Sequence, residues 1–255
     1  MRIAVLMKAV VEPESRIELD ETGGVRRTNF RYELNEYDLY AVEEAIRLAE
    51  ASDAEVTVVS VGPEEAVQSL RKGLAMGATD AVFVPAEDFL GDAAASAEVL
   101  AATLRRLQPD LVLAGVESDD LGTSQVGVLV AERLGYTAVT MAIGVTLGDD
   151  GVLRVRRELE AGNFVDIDVR LPAVLTIQTG LNEPRYPSLK GIMAAKRKEL
   201  VRLELSELGV DTERLVETVE LSYPPPRERA HMLEGSADAV VGELVTLLRE
   251  KEKVL

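Results

Sequence analysis

Between the apolar run DLVLAG and the helix-like run TSQVGVLVAERLG, residues 115–126 read GVESDDLGTSQV. Gly122, Thr123, Ser124 and Gln125 offer backbone N–H groups and hydroxyls where a helix is expected to begin, and free N–H groups and the helix dipole together receive an anion or a phosphate there. Asp119 and Asp120 would repel a phosphate but suit a ribose or the N–H groups of an adenine. The plainer alternative is a capped turn that binds nothing. No GxGxxG follows the first apolar run and no GxxxxGK[ST] occurs, so a bound nucleotide is not expected to be hydrolysed. Glu158 and Glu160 flank Leu159 and would share one face of a strand, as an acid/base pair or as an exposed face beside Arg156. Glu43 with Glu44, and Glu64 with Glu65, fall on expected helices and read as solvated faces. The chain has no cysteine and one histidine, His231. Disulfides, thiolate nucleophiles, Cys-bound zinc and iron–sulfur clusters are therefore excluded, as are a His-based triad and a multi-His metal site within this chain. The six tyrosines are scattered and form no stacking platform.

The formal charge of −17 over 255 residues argues against nucleic-acid binding and against adsorption to anionic lipid. One stretch opposes that charge. Residues 181–200, LNEPRYPSLKGIMAAKRKEL, hold Arg185, Lys190, Lys196, Arg197 and Lys198 against Glu183 and Glu199, with Leu189, Ile192 and Met193 among them. Two roles are open: a surface for another protein, or a basic amphipathic helix lying on its own domain. No run approaches the roughly 20 apolar residues of a membrane helix, and MRIAVLMKAV is not followed by a cleavage region. The expectation is a cytoplasmic protein without membrane insertion.

The elements that must position these groups alternate. RIAVLMK (2–8), AEVTVVSVG (54–62), AVFVPA and DLVLAG read as strands buried on both faces. NEYDLYAVEEAIRLAEA, EEAVQSLRKGLAMGA, DAAASAEVLAATLRRL and TSQVGVLVAERLG read as helices; in the first, Val42, Ala45, Ile46 and Ala49 make one stripe, and Gly77 and Gly135 are C-caps. SRIELDETGGVRRT reads as a hairpin turning at Gly23 and Gly24. Alternating strands and helices imply a Rossmann-like, mostly parallel α/β sheet with helices on both faces. VTMAIGVTL, GVLRVRREL, NFVDIDVRL and AVLTIQT are expected to extend that sheet in antiparallel fashion. Residues 201–233 read as irregular, and SADAVVGELVTLLREKE as a helix N-capped by Ser236, at the end of a C-terminal arm. That helix folds back on its own domain or packs on another chain. The expected domains are 1–200 and 201–255. In such a sheet ligands bind beyond the carboxyl ends of the strands, which selects MKAVVEP, NFRYELNEYD, SVGPEE and AGVESDDLGTSQVG.

In order, LNEYDLYAVEEAIRLAE, SVGPEEAVQSLRKGLAMGATDAVFV, PDLVLAGVESDDLGTSQVG and VRRELEAGNFVDIDVRLPAVLTIQTGLNEPRYPSLKGIMAAKRK resemble the beta (small) subunits of electron transfer flavoproteins over at least residues 1–200. The resemblance implies a heterodimer. Its alpha subunit carries most of an FAD site, and the beta subunit buries an AMP with a structural role. The dimer is an electron carrier and not an enzyme with its own turnover: it takes electrons from acyl-CoA and other dehydrogenases, as in fatty acid β-oxidation, and passes them to a membrane quinone oxidoreductase. By position, the implied AMP contacts are Leu6, Lys8, Asn35, Glu36, Tyr37, Asp38, Val61, Gly115, Val116, Glu117, Ser118, Asp119, Asp120, Leu121, Gly122, Thr123, Ser124, Gln125 and Val126. Gly122 stands where the commoner family loop is acidic, and Pro13 where some members place an aromatic. Glu158 matches a position at the contact with the flavin domain. Residues 182–198 resemble the loop that docks on dehydrogenases. There Leu189 is the apolar anchor, Ile192 and Met193 lie beside it, and Arg185, Tyr186, Lys190, Lys196, Arg197 and Lys198 surround it. Two other readings remain: a bifurcating relative with a second FAD in place of AMP, and a stand-alone adenine-nucleotide sensor.

Overall fold

Ile3, Ala4, Val5 and Leu6 are all buried, the signature of a strand covered on both faces. This is β1 (Arg2–Leu6), and the computed structural model sets it inside a sheet of nine strands among the described residues. The structure describes residues 1–21, 23–26, 30–86, 92–148, 151–210, 212, 215–226 and 230–255. After β1 the chain runs through β2 (Ala9–Val11), β3 (Tyr32–Leu34), α1 (Glu36–Ser52), β4 (Glu55–Gly62), α2 (Ala66–Met76), β5 (Asp80–Pro85), α3 (Ala93–Leu107), β6 (Leu111–Gly115) and α4 (Val126–Leu134). Then come β7 (Thr137–Leu147), β8 (Leu153–Glu158), β9 (Phe164–Val169), β10 (Ala173–Ile177), α5 (Leu189–Arg197), β11 (Val201–Arg202), α6 (Leu205–Leu208) and α7 (Ala237–Thr246). There are two compact units, Met1–Val219 and Glu220–Leu255.

In the first unit the strand order is β11-β5-β4-β1-β6-β10-β7-β8-β9. All neighbours are parallel except β7–β8 and β8–β9. The two-residue period of β1 divides the core into two layers. Ile3 and Val5 cluster with Ala41, Val42 and Ala45 of α1 and Leu70 of α2. Ala4 and Leu6 cluster with Ala97 and Leu104 of α3 and Val130 of α4. The expected α/β architecture with helices on both faces is therefore observed, and β7–β9 are its antiparallel extension.

Four local expectations need correction. AVLTIQT does not join the antiparallel extension: β10 lies between β6 and β7, parallel to both, and all five of its residues are buried. Residues 201–233 are not irregular throughout. β11 pairs with β5, and α6 carries a capping box between Glu204 and Glu207, with Leu203, Leu205 and Leu208 packed against Val84, Ala95 and Val99. The helix after β6 starts at Val126 and not near Thr123, because Ser124 adopts a left-handed backbone, φ 53°, that a helix cannot continue. Glu43 and Glu44 are not solvated; both are 5 % exposed, covered by Arg185 and Asn182. The hairpin at Gly23 survives as a bridge between Leu19 and Val25, and the excursion returns through the antiparallel pair β2–β3.

The second unit contains α7, N-capped by Ser236, and a π-helical continuation over Leu247–Lys251. It buries none of the residues of these helices and leaves Val241 and Leu244 exposed. His231 is exposed and lies 3.6 Å from Glu243.

Candidate functional site

The carboxyl ends of β1, β4 and β6 open into one cleft of about 940 Å³, counting the solvent at its mouth. It lies where the chain, having laid β4 and β5 on one side of β1, crosses to lay β6 on the other. Of the expected nucleotide residues, Leu6, Lys8, Asn35, Asp38, Val61, Gly115, Val116, Glu117, Ser118, Leu121, Thr123, Ser124, Gln125 and Val126 line this cleft. Glu36, Tyr37, Asp119, Asp120 and Gly122 are not part of its lining.

Those five sit next to it and hold its loop. Asn35 accepts the Asp119 N–H at 3.0 Å and donates to the Glu117 carbonyl at 2.9 Å. The Asp119 carboxylate accepts the Glu36 N–H at 3.0 Å, so it satisfies an open donor at the start of α1. Tyr37 donates to Glu117 at 3.1 Å; burial and that hydrogen bond push its phenol above the ordinary value. Asp120 pairs with the Lys8 ammonium at 2.6 Å, and Lys8 also donates to Ser118. Gly122, at φ 56°, turns the loop in a region that favours glycine. The acidic side chains expected to meet ribose or adenine are thus committed to the protein itself.

Asp38 is the centre of this arrangement. It accepts the Lys8 N–H at 2.7 Å and the Gly115 N–H at 3.0 Å, joining the ends of β1 and β6. Burial raises its pKa to about 7, against the opposing pull of its hydrogen bonds and of Lys8.

Met7, Ala114 and Gly127 line the cleft from two of the loops expected to do so, whereas Ala86, Asp92, Ala93, Ser96 and Leu100 also line it and were not anticipated. Several belong to the loop after β5 and the start of α3. That loop obeys the same carboxyl-end rule as the others, so the signal was present in PAEDFLGDAAAS; residues 87–91 of it lie outside the described residues. Asp92 caps α3 through the Ala94 and Ala95 N–H groups and accepts those of Leu215 and Val216, which hold its carboxyl below the usual range.

Of the helices that begin at the cleft, α3 and α4 differ. The N-terminus of α3 is occupied by Asp92, whereas α4 has no side-chain cap. Its first residues line the cleft, and Gly127 packs so tightly that a Cβ would meet Thr176 Cγ2 at 2.6 Å. Leu6, Val61, Leu100 and Ala114 supply an apolar wall. The residues present fit a nucleotide whose base lies on the apolar wall and whose phosphate meets the open end of α4.

The basic segment forms α5, capped by Ser188. Only Ala195 of that helix is buried, and Tyr186 and Leu189 are 96 % and 84 % exposed. Ile192, Met193, Lys190, Lys196 and Arg197 are exposed as well. Two of its expected surface cations are engaged within the chain. Arg185 forks onto Glu43 and Glu50, and Lys198 donates to the Thr79 carbonyl. Asn182 donates to Glu44 and to the Tyr40 carbonyl, which together with Arg185 explains why Glu43 and Glu44 are buried. Glu158 ends β8 and accepts from Gln178 at 3.2 Å. Glu160 begins a 3-10 turn, so the two carboxylates do not line one strand face as expected.

The model of the electron transfer flavoprotein domain matches residues 22–208. The electron transfer flavoprotein subunit beta of Bacillus subtilis (strain 168) is 39 % identical over the whole of both chains. That of Methylophilus methylotrophus is 36 % identical over 98 % of each. The acryloyl-CoA reductase electron transfer subunit gamma of Anaerotignum propionicum is 32 % identical, again over both whole chains. With that coverage, and with a cleft built at the carboxyl ends of a parallel sheet, the chain belongs to the electron transfer flavoprotein family, among its beta subunits.

Proposed function

We propose that this chain holds an AMP in the cleft as a structural ligand and completes, with an alpha subunit, the site of an FAD. The observation that carries the AMP reading is the uncapped start of α4 opening beside an apolar wall. A phosphate there is met by N–H groups that no side chain satisfies, and an adenine covers Leu6, Val61 and Leu100. When bound, FAD supplies the electron chemistry. This chain's part is to position and to recognise. A smaller cavity shares Val116, Glu117 and Ser124 with the first and includes Gln178, the partner of Glu158. That neighbourhood supports Glu158 as an electrostatic contact toward the flavin domain.

The exposed face of α5 is the docking surface in this reading. Leu189 enters an apolar pocket of a donor, an acyl-CoA or other dehydrogenase, while Lys190, Lys196 and Arg197 steer acidic partners. Electrons leave to a membrane quinone oxidoreductase. The heterodimer is a cytoplasmic carrier without catalytic turnover of its own.

A cofactor inventory tests the reading. The chain is co-expressed with its alpha partner, the complex is denatured, and the released nucleotides are separated and quantified. One FAD and one AMP per heterodimer is the expected result. Two FAD and no AMP overturns it in favour of a bifurcating relative with a flavin in this cleft. A monomer with exchangeable ATP overturns it in favour of a nucleotide sensor.

A further inference from the structure

We infer that Arg185 is a positioning residue for electron transfer: it holds the docking helix α5 in its outward-facing pose before any partner arrives. The inference rests on the docking reading of that helix.

Packing alone does not hold α5. The helix has nine residues, a length that is marginal in water without tertiary support. It buries only Ala195 and approaches α2 through Gly191, where a Cβ would meet the Ala75 carbonyl at 2.5 Å. Polar contacts grip it from both sides. Before the helix, Arg185 donates through Nε and Nη2 to Glu43 at 2.8 and 3.0 Å and through Nη1 to Glu50 at 2.6 Å. Its backbone N–H adds a further bond to Glu43 at 3.1 Å. Glu43 is 5 % exposed, and the paired guanidinium offsets the cost of burying its charge. After the helix, Arg71 of α2 donates to the carbonyl oxygens of Ala195 and Lys198, closing the C-terminal end. The apolar side chains between the two grips, Leu189 above all, are the ones left in solvent. Ordering a surface in advance removes an entropy cost from association. The planar fork is essential, since an ammonium cannot span two carboxylates in this way.

The test uses the heterodimer with an acyl-CoA dehydrogenase reduced by its substrate as donor. Arg185→Gln is expected to speed amide exchange over residues 188–195 about tenfold in the absence of dehydrogenase and to raise KM for the dehydrogenase roughly tenfold. kcat and bound FAD stay as they were. Glu50→Gln, at a mostly exposed carboxylate, moves both quantities the same way by less, and carries the test if Arg185→Gln does not fold. Arg185→Lys does not restore them. A raised KM with unchanged exchange overturns the inference, because Arg185 then contacts the partner directly. An unchanged KM also overturns it, whether or not exchange is faster, because the order of α5 then does not matter to transfer. Leu189→Ala is measured in parallel. If that change leaves transfer unaltered, the docking reading fails, while the exchange result still decides whether Arg185 orders α5.

Discussion

The Gly115 N–H donates to Asp38 Oδ1 at 3.0 Å, and a Cβ on Gly115 would lie 2.5 Å from that same oxygen. One contact thus fixes the end of β6 against the start of α1 and forbids a side chain there. The nearby Tyr37 Cβ, at 2.6 Å, leaves no direction of escape. Gly115→Ala must push the start of α1 away, an overpacking cost of about 1–3 kcal/mol. The expected outcome is a Tm lower by several degrees, with less nucleotide retained on purification. A variant with wild-type Tm and full nucleotide content would show that α1 yields freely.

Asp38 carries a pH prediction. Its pKa is raised from 3.8 to about 7, so between those values the folded chain keeps a proton that the unfolded chain releases. Its contribution to stability is fully present below about pH 4 and is lost as the pH climbs to about 7, on the order of 4 kcal/mol in all. Asp38→Asn removes the titration and leaves one of the Lys8 and Gly115 N–H groups without its acceptor. Urea unfolding of both proteins from pH 4 to 7 measures this. The variant should lose less stability than the wild type across that window, and parallel slopes would refute the assignment.

Much of this fold is legible in the residues, and the limits are equally specific. The stripe through Val42, Ala45 and Ile46 identifies α1, and the apolar run of β1 identifies a strand covered on both faces, because each pattern is set by local periodicity. Glu43 and Glu44 look solvated from the same window because their partners Arg185 and Asn182 lie about 140 residues further along. The run AVLTI reads as a buried strand, but its insertion between β6 and β7 depends on crossover connections that leave no local mark. β11 has two residues and offers no period at all. For the cleft, position after a strand locates residues 115–126, and the same rule applied to the loop after β5 points to Asp92 and Ser96. What it does not reveal is that Asp119 and Asp120 are consumed by Glu36 and Lys8. The resemblance supplies residues by position, and the hydrogen bonds distinguish those that line the cleft from those that hold its loop.

Leu189 is 84 % exposed and stands with exposed Tyr186, Ile192 and Met193, and a group of exposed apolar side chains of this kind marks an interaction surface. Burying the leucine side chain in a partner contributes about 1.5–3 kcal/mol. Leu189→Ala should therefore raise KM for the dehydrogenase roughly tenfold or more while bound flavin and Tm stay unchanged. Steady-state reduction at limiting dehydrogenase provides the measurement, and unaltered rates would remove Leu189 from the docking surface.

The second unit supplies the last prediction. Within it α7 buries no residue, although Ala237, Val240, Val241, Leu244 and Leu248 recur at helical spacing. A stripe of that kind is stable in water only when something covers it, and its own unit leaves Val241 and Leu244 exposed. The alpha subunit that a beta subunit of this family implies is the proposed occupant. Deleting residues 234–255 should then weaken its association with this chain. The test is co-purification from one expression system with a tag on the alpha subunit, followed by dilution. The truncated complex is expected to dissociate at higher protein concentration than the intact one. Equal recovery at every dilution would mean that α7 is covered by something other than the alpha subunit.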